Sequence, residues 1–223
     1  MSLPSGVSPL QPTMSLRERV EMALEAAICS GEMPPGELFS APGLAARFNV
    51  SATPVREAML NLEKRGFVEA VRNKGFRVTT VRDEDLENIV AVRRLLEPPV
   101  MRWLVGAIPP EAFAELRAMA GTIVDGAAQG DLTTYLEADR AFHAALTSFT
   151  GNARLTSLVS DLRQETRLPG LAGLLATEEL TKSAAEHDEI LDLLEAGDGA
   201  GAEALMHRHI GHIIGWWAGR SEA

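Results

Sequence analysis

Leu16, Val20, Leu24, Ala27 and Ile28 recur at the spacing that keeps side chains on one face of a helix. Gly31 and the run Pro34-Pro35-Gly36 then break the pattern. Residues 44–48 are enough for one short helix, and another begins just beyond Asn49-Val50. Ser51 or Thr53 can cap it, and Pro54 is tolerated in a first turn because its missing N–H would have had no helical partner there. Val55, Met59 and Leu62 make its buried stripe, Thr53, Arg56 and Leu60 point elsewhere, and Gly66 ends it. Residues 67–71 and 76–79 read as two strands around the turn Asn73-Lys74-Gly75. Residues 15–82 are therefore expected to form a winged helix-turn-helix, whose second helix enters the DNA major groove. Arg47, Ser51, Thr53 and Arg56 are its candidate DNA contacts, with Arg72, Lys74 and Gly75 on the wing.

From Asp83 onward the periodicity is wholly helical. Helices are expected near 84–106, 110–128, 131–149, 152–168, 178–196 and 198–217, with breaks at Pro109-Pro110, Gly130, Gly151-Asn152, Pro169-Gly170 and Gly197. Pro98-Pro99 lies inside the first and should kink it. The fold class is mainly α: the winged unit, then an antiparallel all-helical bundle of about six helices over 83–217. The uncharged stretch 1–14, with Pro4, Pro9 and Pro12, reads as a disordered arm, and 218–223 as a tail. No internal repeat is present.

Several apolar stripes of the bundle carry polar residues. Leu132, Leu136, Asp139, His143 and Leu146 share a face, as do Leu180, Ala184, His187, Leu191 and Leu194, and Leu205, His209, Ile213 and Trp216. An unpaired carboxylate on a buried face costs several kcal/mol, so Asp139 needs a partner. One divalent ion held by Asp139, His143, His187 and His209 would satisfy all four residues. The alternative is an Asp–His pair and two core histidines bonded to backbone carbonyls. His207 falls on another face and His212 near the edge of the inward one, as the next candidates. Arg93, Arg140, Arg163 and Arg167 lie on helices around the same space, where a guanidinium can grip a small carboxylate through two parallel hydrogen bonds. The alternative for each is a solvated or locally paired cation.

Charge changes the picture more than composition does. The net charge of −10 argues against nucleic acid, but the average conceals a division. Residues 15–82 carry ten basic and eight acidic side chains, 83–223 carry eleven and twenty-three, and 47–82 carry eight and three. A small basic head on an acidic body suits a DNA-binding unit joined to one that does not bind DNA. Cys29 is the single cysteine, so no intramolecular disulfide forms and a reducing cytoplasm is the expected location. No apolar run approaches a membrane span, and the start lacks a basic-then-apolar signal sequence.

The run Val50-Ser51-Ala52-Thr53-Pro54-Val55-Arg56-Glu57-Ala58-Met59, followed by Leu62-Glu63 and Gly66-Phe67-Val68, resembles the head domain of the GntR family of bacterial regulators. Asp139-Arg140-Ala141-Phe142-His143, Gly151-Asn152, Glu186-His187 and His209-Ile210 resemble the signature of the all-helical ligand domain (FCD type) of its FadR-like subfamily. The resemblance covers about 15–217. It implies a homodimer on a palindromic double-stranded operator, responding to a small organic acid. It also implies one metal ion per chain, zinc, nickel or manganese-like, at Asp139, His143, His187 and His209. Ala52 and Pro42 depart from the family's usual arginine and polar residue at DNA-touching positions, and Pro98-Pro99 departs from its usual helix.

The expected function is a ligand-responsive transcriptional regulator, a repressor rather than an enzyme. Two competing readings are a metal-dependent hydrolase-like enzyme and a regulator whose metal is purely structural. Against the first, no Ser/Cys–His pair or carboxylate couple stands out beside the four ligands as an obvious base, and a winged helix has no place in a stand-alone hydrolase.

Overall fold

A computed structural model describes residues 14–80, 82–166, 171–174 and 177–215. Helix α1 (Leu16–Cys29) opens with Ser15, whose side chain accepts from the Glu18 N–H while Glu18 accepts from the Ser15 N–H, closing a reciprocal cap. Strand β1 (Leu38–Phe39) follows the Pro-Pro-Gly break. Helix α2 (Ala41–Phe48) begins three residues earlier than its apolar pattern, because Ser40 caps Gly43 N–H and Pro42 sits in the first turn. It ends at Asn49 in the left-handed conformation, φ 53°. Helix α3 (Ala52–Lys64) starts from Ser51 in extended backbone, with no bond from the serine side chain to the helix. Val55, Ala58, Met59 and Leu62 of α3 are fully buried, while Thr53, Arg56 and Leu60 face out.

Strands β2 (Val68–Val71) and β3 (Gly75–Val78) pair antiparallel, Val68 opposite Val78 and Val71 opposite Gly75. Strand β1 adds to the free edge of β3, Leu38 opposite Arg77, so the sheet order is β1-β3-β2. The wing thus has a third strand that two residues of sequence could not reveal. Gly75, at φ 129°, is required by that strand: a Cβ there would lie 2.2 Å from the Phe39 carbonyl oxygen.

The remaining elements are α4 (Asp83–Leu104), α5 (Ala112–Gln129), α6 (Leu132–Ser148), α7 (Ala153–Glu165), the short α8 (Leu171–Leu174), α9 (Glu179–Glu195) and α10 (Gly199–Gly211). Helix α10 packs along α4 and α9, α5 along α6 and α9, and α7 along α6 and α4. Helix α4 runs unbroken through Pro98-Pro99 from Asp83 to Leu104. The last helix stops at Gly211, short of the expected 217, and turns follow to Gly215. The one-turn α8 was not foreseen. Trp216, Arg167, the Pro169-Gly170 break, the tail and all of the arm except Met14 lie outside the described residues.

Helices α5 and α6 meet at Gly126, where a Cβ would lie 2.8 Å from Tyr135 N and 3.0 Å from Tyr135 Cα. Both are backbone atoms and cannot step aside. Gly126→Ala should therefore force the two helices apart, at about 1–3 kcal/mol against a propensity gain of roughly 1 kcal/mol. Urea unfolding measures the net; a variant more stable than the parent would mean that the helices separate without strain.

Candidate metal centre and nucleic-acid interface

Asp139 and His143 sit one turn apart on α6, His187 on α9 and His209 on α10, and the helix packing brings one ligand atom of each within 4.8 Å of the others. His143 Nε2 lies 3.1 Å from His187 Nε2 and 3.6 Å from Asp139 Oδ1, and His187 Nε2 lies 3.2 Å from Asp139 Oδ1. An ion about 2.1 Å from each ligand places neighbouring ligand atoms about 3.0 Å apart in an octahedron and about 3.4 Å apart in a tetrahedron. The separations among Asp139, His143 and His187 lie within about 0.2 Å of that range, and His209 keeps within 4.8 Å of all three, so the donor set suits a divalent ion in chemistry and is close to it in size.

Protonation suits the same role. Burial, then the nearby Arg163 guanidinium, pushes His143 well below the usual imidazole range. Burial pulls His209 down to about 4, outweighing its bond to Glu186. Neutral imidazoles are the ligand form. Burial works against the Asp139 charge, but Arg163 and the imidazoles hold its carboxyl well below the ordinary value.

An outer layer orients the rings. His187 Nδ1 meets the Ala184 carbonyl at 2.9 Å, and His209 Nδ1 meets Glu186 Oε2 at 2.8 Å. Such bonds fix the tautomer and turn Nε2 inward. Glu186 also receives His212 Nε2 at 2.9 Å and Arg208 Nε at 3.1 Å. In sequence Glu186 stands out only as the neighbour of His187 in the Glu186-His187 signature, because its partners on and beyond α10 come from the packing of α9 on α10. His212 is buried on Glu186, and His207 is exposed, away from the cluster.

Beside the cluster lies a cavity of about 20 Å³, room for about one water molecule, lined by Arg93, Arg140, Arg163, Asp139 and Thr166 among others. Arg93 and Arg163, candidates for gripping a carboxylate or for local pairing, are locally paired in this structure: they close on Glu97, a buried carboxylate on α4. Arg93 Nε donates to Glu97 Oε1 at 2.6 Å, and Arg163 Nε and Nη2 donate to Oε2 at 2.9 and 2.5 Å. Arg163 Nη1 reaches Asp139 Oδ2 at 3.0 Å, and Arg93 Nη1 reaches Thr166 Oγ1 at 3.2 Å. The pair Arg93/Glu97 has the i,i+4 spacing of a helix ion pair. Pairing of Glu97 with Arg163 depends on α4 crossing α7. Arg140 turns to Glu25 of α1, and Arg167 lies outside the described residues.

At the other end of the chain, α3 and the wing flank a groove lined by Thr53, Arg56, Arg72, Lys74 and Gly75. Arg47, Ser51, Thr53, Arg56, Arg72 and Lys74 are all exposed. Arg77 is paired with Glu69 across the strands at 2.8 Å, and Arg82 with Asp85 at 2.7 Å. Arg47, Arg56, Arg72 and Lys74 have no ion-pair partner among the described residues. With Arg56, Arg72 and Lys74 against the single carboxylate Glu57, the groove is net positive, as a phosphate-binding face requires. The close approach at Gly75 is to the Phe39 carbonyl.

Comparison with known proteins accounts for both ends. The sequence model described as "Bacterial regulatory proteins, gntR family" matches residues 16–78, and that described as "FCD domain" matches residues 88–212. The HTH-type transcriptional regulator LutR of Bacillus subtilis is 30% identical over 210 residues, covering 83% of this chain and 94% of that protein. A Paenarthrobacter nicotinovorans protein described as "Probable D-xylose utilization operon transcriptional repressor" is 30% identical over 183 residues, covering 82% of this chain and 80% of its own length. Escherichia coli McbR/YncC has the same fold, with a TM-score of 0.72 at 24% identity over 93% of this chain and 99% of that one. The chain belongs to the GntR family of bacterial transcriptional regulators, with an FCD domain after its winged head, and is a regulator rather than an enzyme.

Proposed function

We propose that this regulator is a cytoplasmic homodimeric repressor that binds a palindromic operator through residues 15–82. In this reading residues 83–217 sense a small organic acid beside one divalent ion. The observation that carries it is the buried Asp139–His143–His187–His209 cluster, a metal-fitting donor set in the core of a bundle joined to an unpaired cationic groove. Zinc, nickel or manganese-like ions suit three imidazoles and a carboxylate. Such an ion supplies positive charge and coordination positions for an anion inside a low-dielectric bundle. The chain's own residues do the rest: Glu186 and the Ala184 carbonyl orient the rings, and Arg163 turns one Asp139 oxygen away so that the other faces the imidazoles. The small cavity favours a second reading, in which the ion only ties three helices together. No helix among the described residues is long and apolar enough to cross a membrane. The repressor sign follows the description of the Paenarthrobacter relative.

Dimerisation is supported by α4, whose outer face carries Val92, Leu95, Pro99 and Trp103 in helical register, with Leu95 76% and Trp103 62% exposed. Rings and aliphatic groups this exposed on one stripe fit an isologous contact. Sedimentation of Leu95→Glu/Trp103→Glu should give a monomer from a dimeric parent; an unaltered dimer would move the interface elsewhere.

Metal analysis of the purified full chain should find about one ion per chain, sharply reduced in His187→Ala. Equal content in that variant would place the ion outside this cluster.

Arg56 lies on the exposed face of the recognition helix. With an operator selected from random-sequence DNA, Arg56→Ala should lose about 1–3 kcal/mol of specific binding. Unchanged affinity in fluorescence anisotropy would mean that α3 does not read the operator.

A further inference from the structure

We infer that Arg140 is the residue whose choice of counter-ion reports cavity occupancy to the DNA-binding unit: an acid entering the cavity takes Arg140 from Glu25. This rests on the acid-sensing reading above and narrows it to one guanidinium.

Among the described residues, three arginines line the cavity, and they are not equivalent. Arg93 and Arg163 are buried and closed on Glu97, with Thr166 and Asp139 taking further donors. All of these partners belong to the helical half, and separating such buried charges leaves an uncompensated ion. Arg140 differs. It follows Asp139 on α6, is 21% exposed at the side chain, and its hydrogen-bonded partner is Glu25 on α1 of the winged unit. Glu25 is only 2% exposed, yet it holds a second cation: Arg65 Nη1 and Nη2 reach it at 3.0 and 2.9 Å. Loss of Arg140 therefore does not orphan Glu25, and an incoming carboxylate can make the exchange without stranding a buried charge.

The same arginine leads to the recognition helix. Arg65 is the C-terminal cap of α3, touches Glu21 at 3.4 Å, and its Nε donates to the Gln164 carbonyl at 3.2 Å. Gln164 directly follows Arg163. Two polar ties between the halves thus start beside a cavity residue, Asp139 or Arg163, and meet at Glu25 and Arg65 beneath α3. A cavity with room for one water admits an acid only if a lining group yields. Arg140 is the lining guanidinium whose partner can be exchanged. A planar carboxylate matches its fork through two parallel bonds. To signal, the acid must bind the Arg140-released arrangement better than the Arg140–Glu25 one.

The test uses zinc-loaded full-length protein, with acetate, lactate, succinate and citrate as probes, followed by calorimetry and operator anisotropy. If Glu25 competes with the acid for Arg140, Glu25→Gln should bind the responding acid about tenfold tighter than the parent. Its operator affinity should already be shifted in the acid's direction, and Arg140→Gln should bind that acid at least tenfold more weakly. Should Glu25→Gln fold poorly, Glu25→Asp, whose shorter carboxylate loosens the same pair, should move acid affinity in the same direction. Equal or weaker acid binding by the folded Glu25 variants, with the parent still shifting its operator affinity on acid, overturns this inference and leaves acid sensing intact. If none of the four acids binds parent or variants, acid sensing falls and this inference with it.

Discussion

The helical half is organised by carboxylates that are buried or nearly so. Glu97, Asp139 and Glu186 all lie in the interior or at its margin, and each stays ionised only because cations or imidazoles stand against it. Removing one partner of such a buried set costs about 3–5 kcal/mol, far more than a surface pair contributes. Arg163 has the central position. Its fork spans Glu97 on α4 and Asp139 on α6 from α7, so three helices are placed relative to one another by a single planar group. That arrangement leaves Asp139 with one oxygen committed to Arg163 and the other turned to the imidazoles.

The metal-fitting cluster is a consequence of the same constraint. Three histidines in an apolar core are tolerable when neutral and bonded, and burial keeps His143 and His209 neutral. Glu186 and the Ala184 carbonyl take the outward ring nitrogens of His209 and His187, which aims the opposite nitrogens into the space shared with Asp139. A site assembled from α6, α9 and α10 is rigid for the reason the bundle is rigid: its ligands come from packed helices rather than loops.

At the head, charge is arranged by the opposite rule. Cations that serve the fold are paired, as Arg77 is with Glu69 and Arg65 with Glu25, while Arg47, Arg56, Arg72 and Lys74 face solvent with no ion-pair partner among the described residues. A basic groove survives on an acidic protein because Glu57 is outnumbered there by Arg56, Arg72 and Lys74 and most acids are elsewhere: α4 opens with three in its first turn, and many others lie along the helical half. The joint between head and body is itself ionic, built on Glu25, Arg65 and Arg140, and an ionic joint can be rearranged by an ion.

Periodicity alone located most of the helices, the buried stripe Val55, Met59 and Leu62 of the recognition helix, and the four residues Asp139, His143, His187 and His209, because helical phase follows from spacing and all four sit on apolar faces. The turn at Asn73-Lys74-Gly75 was legible for the same local reason, and motif resemblance supplied the family. What spacing does not contain is which helix faces which. Glu97 beside Arg163, Glu186 beside His209 and His212, and Glu25 beside Arg140 are pairings across helices, and a charged residue in a helix looks the same in sequence whether it meets solvent or an opposite charge. So the sequence leaves Arg93 and Arg163 open between gripping a carboxylate and local pairing, and the packing of α4 on α7 places Glu97 between them. Strand β1 was hidden for a related reason: two residues carry no alternation, and only the edge of β3 makes them a strand. Local chemistry determined the elements and singled out the four candidate ligands, and tertiary packing brought those ligands together and decided which charges already have partners.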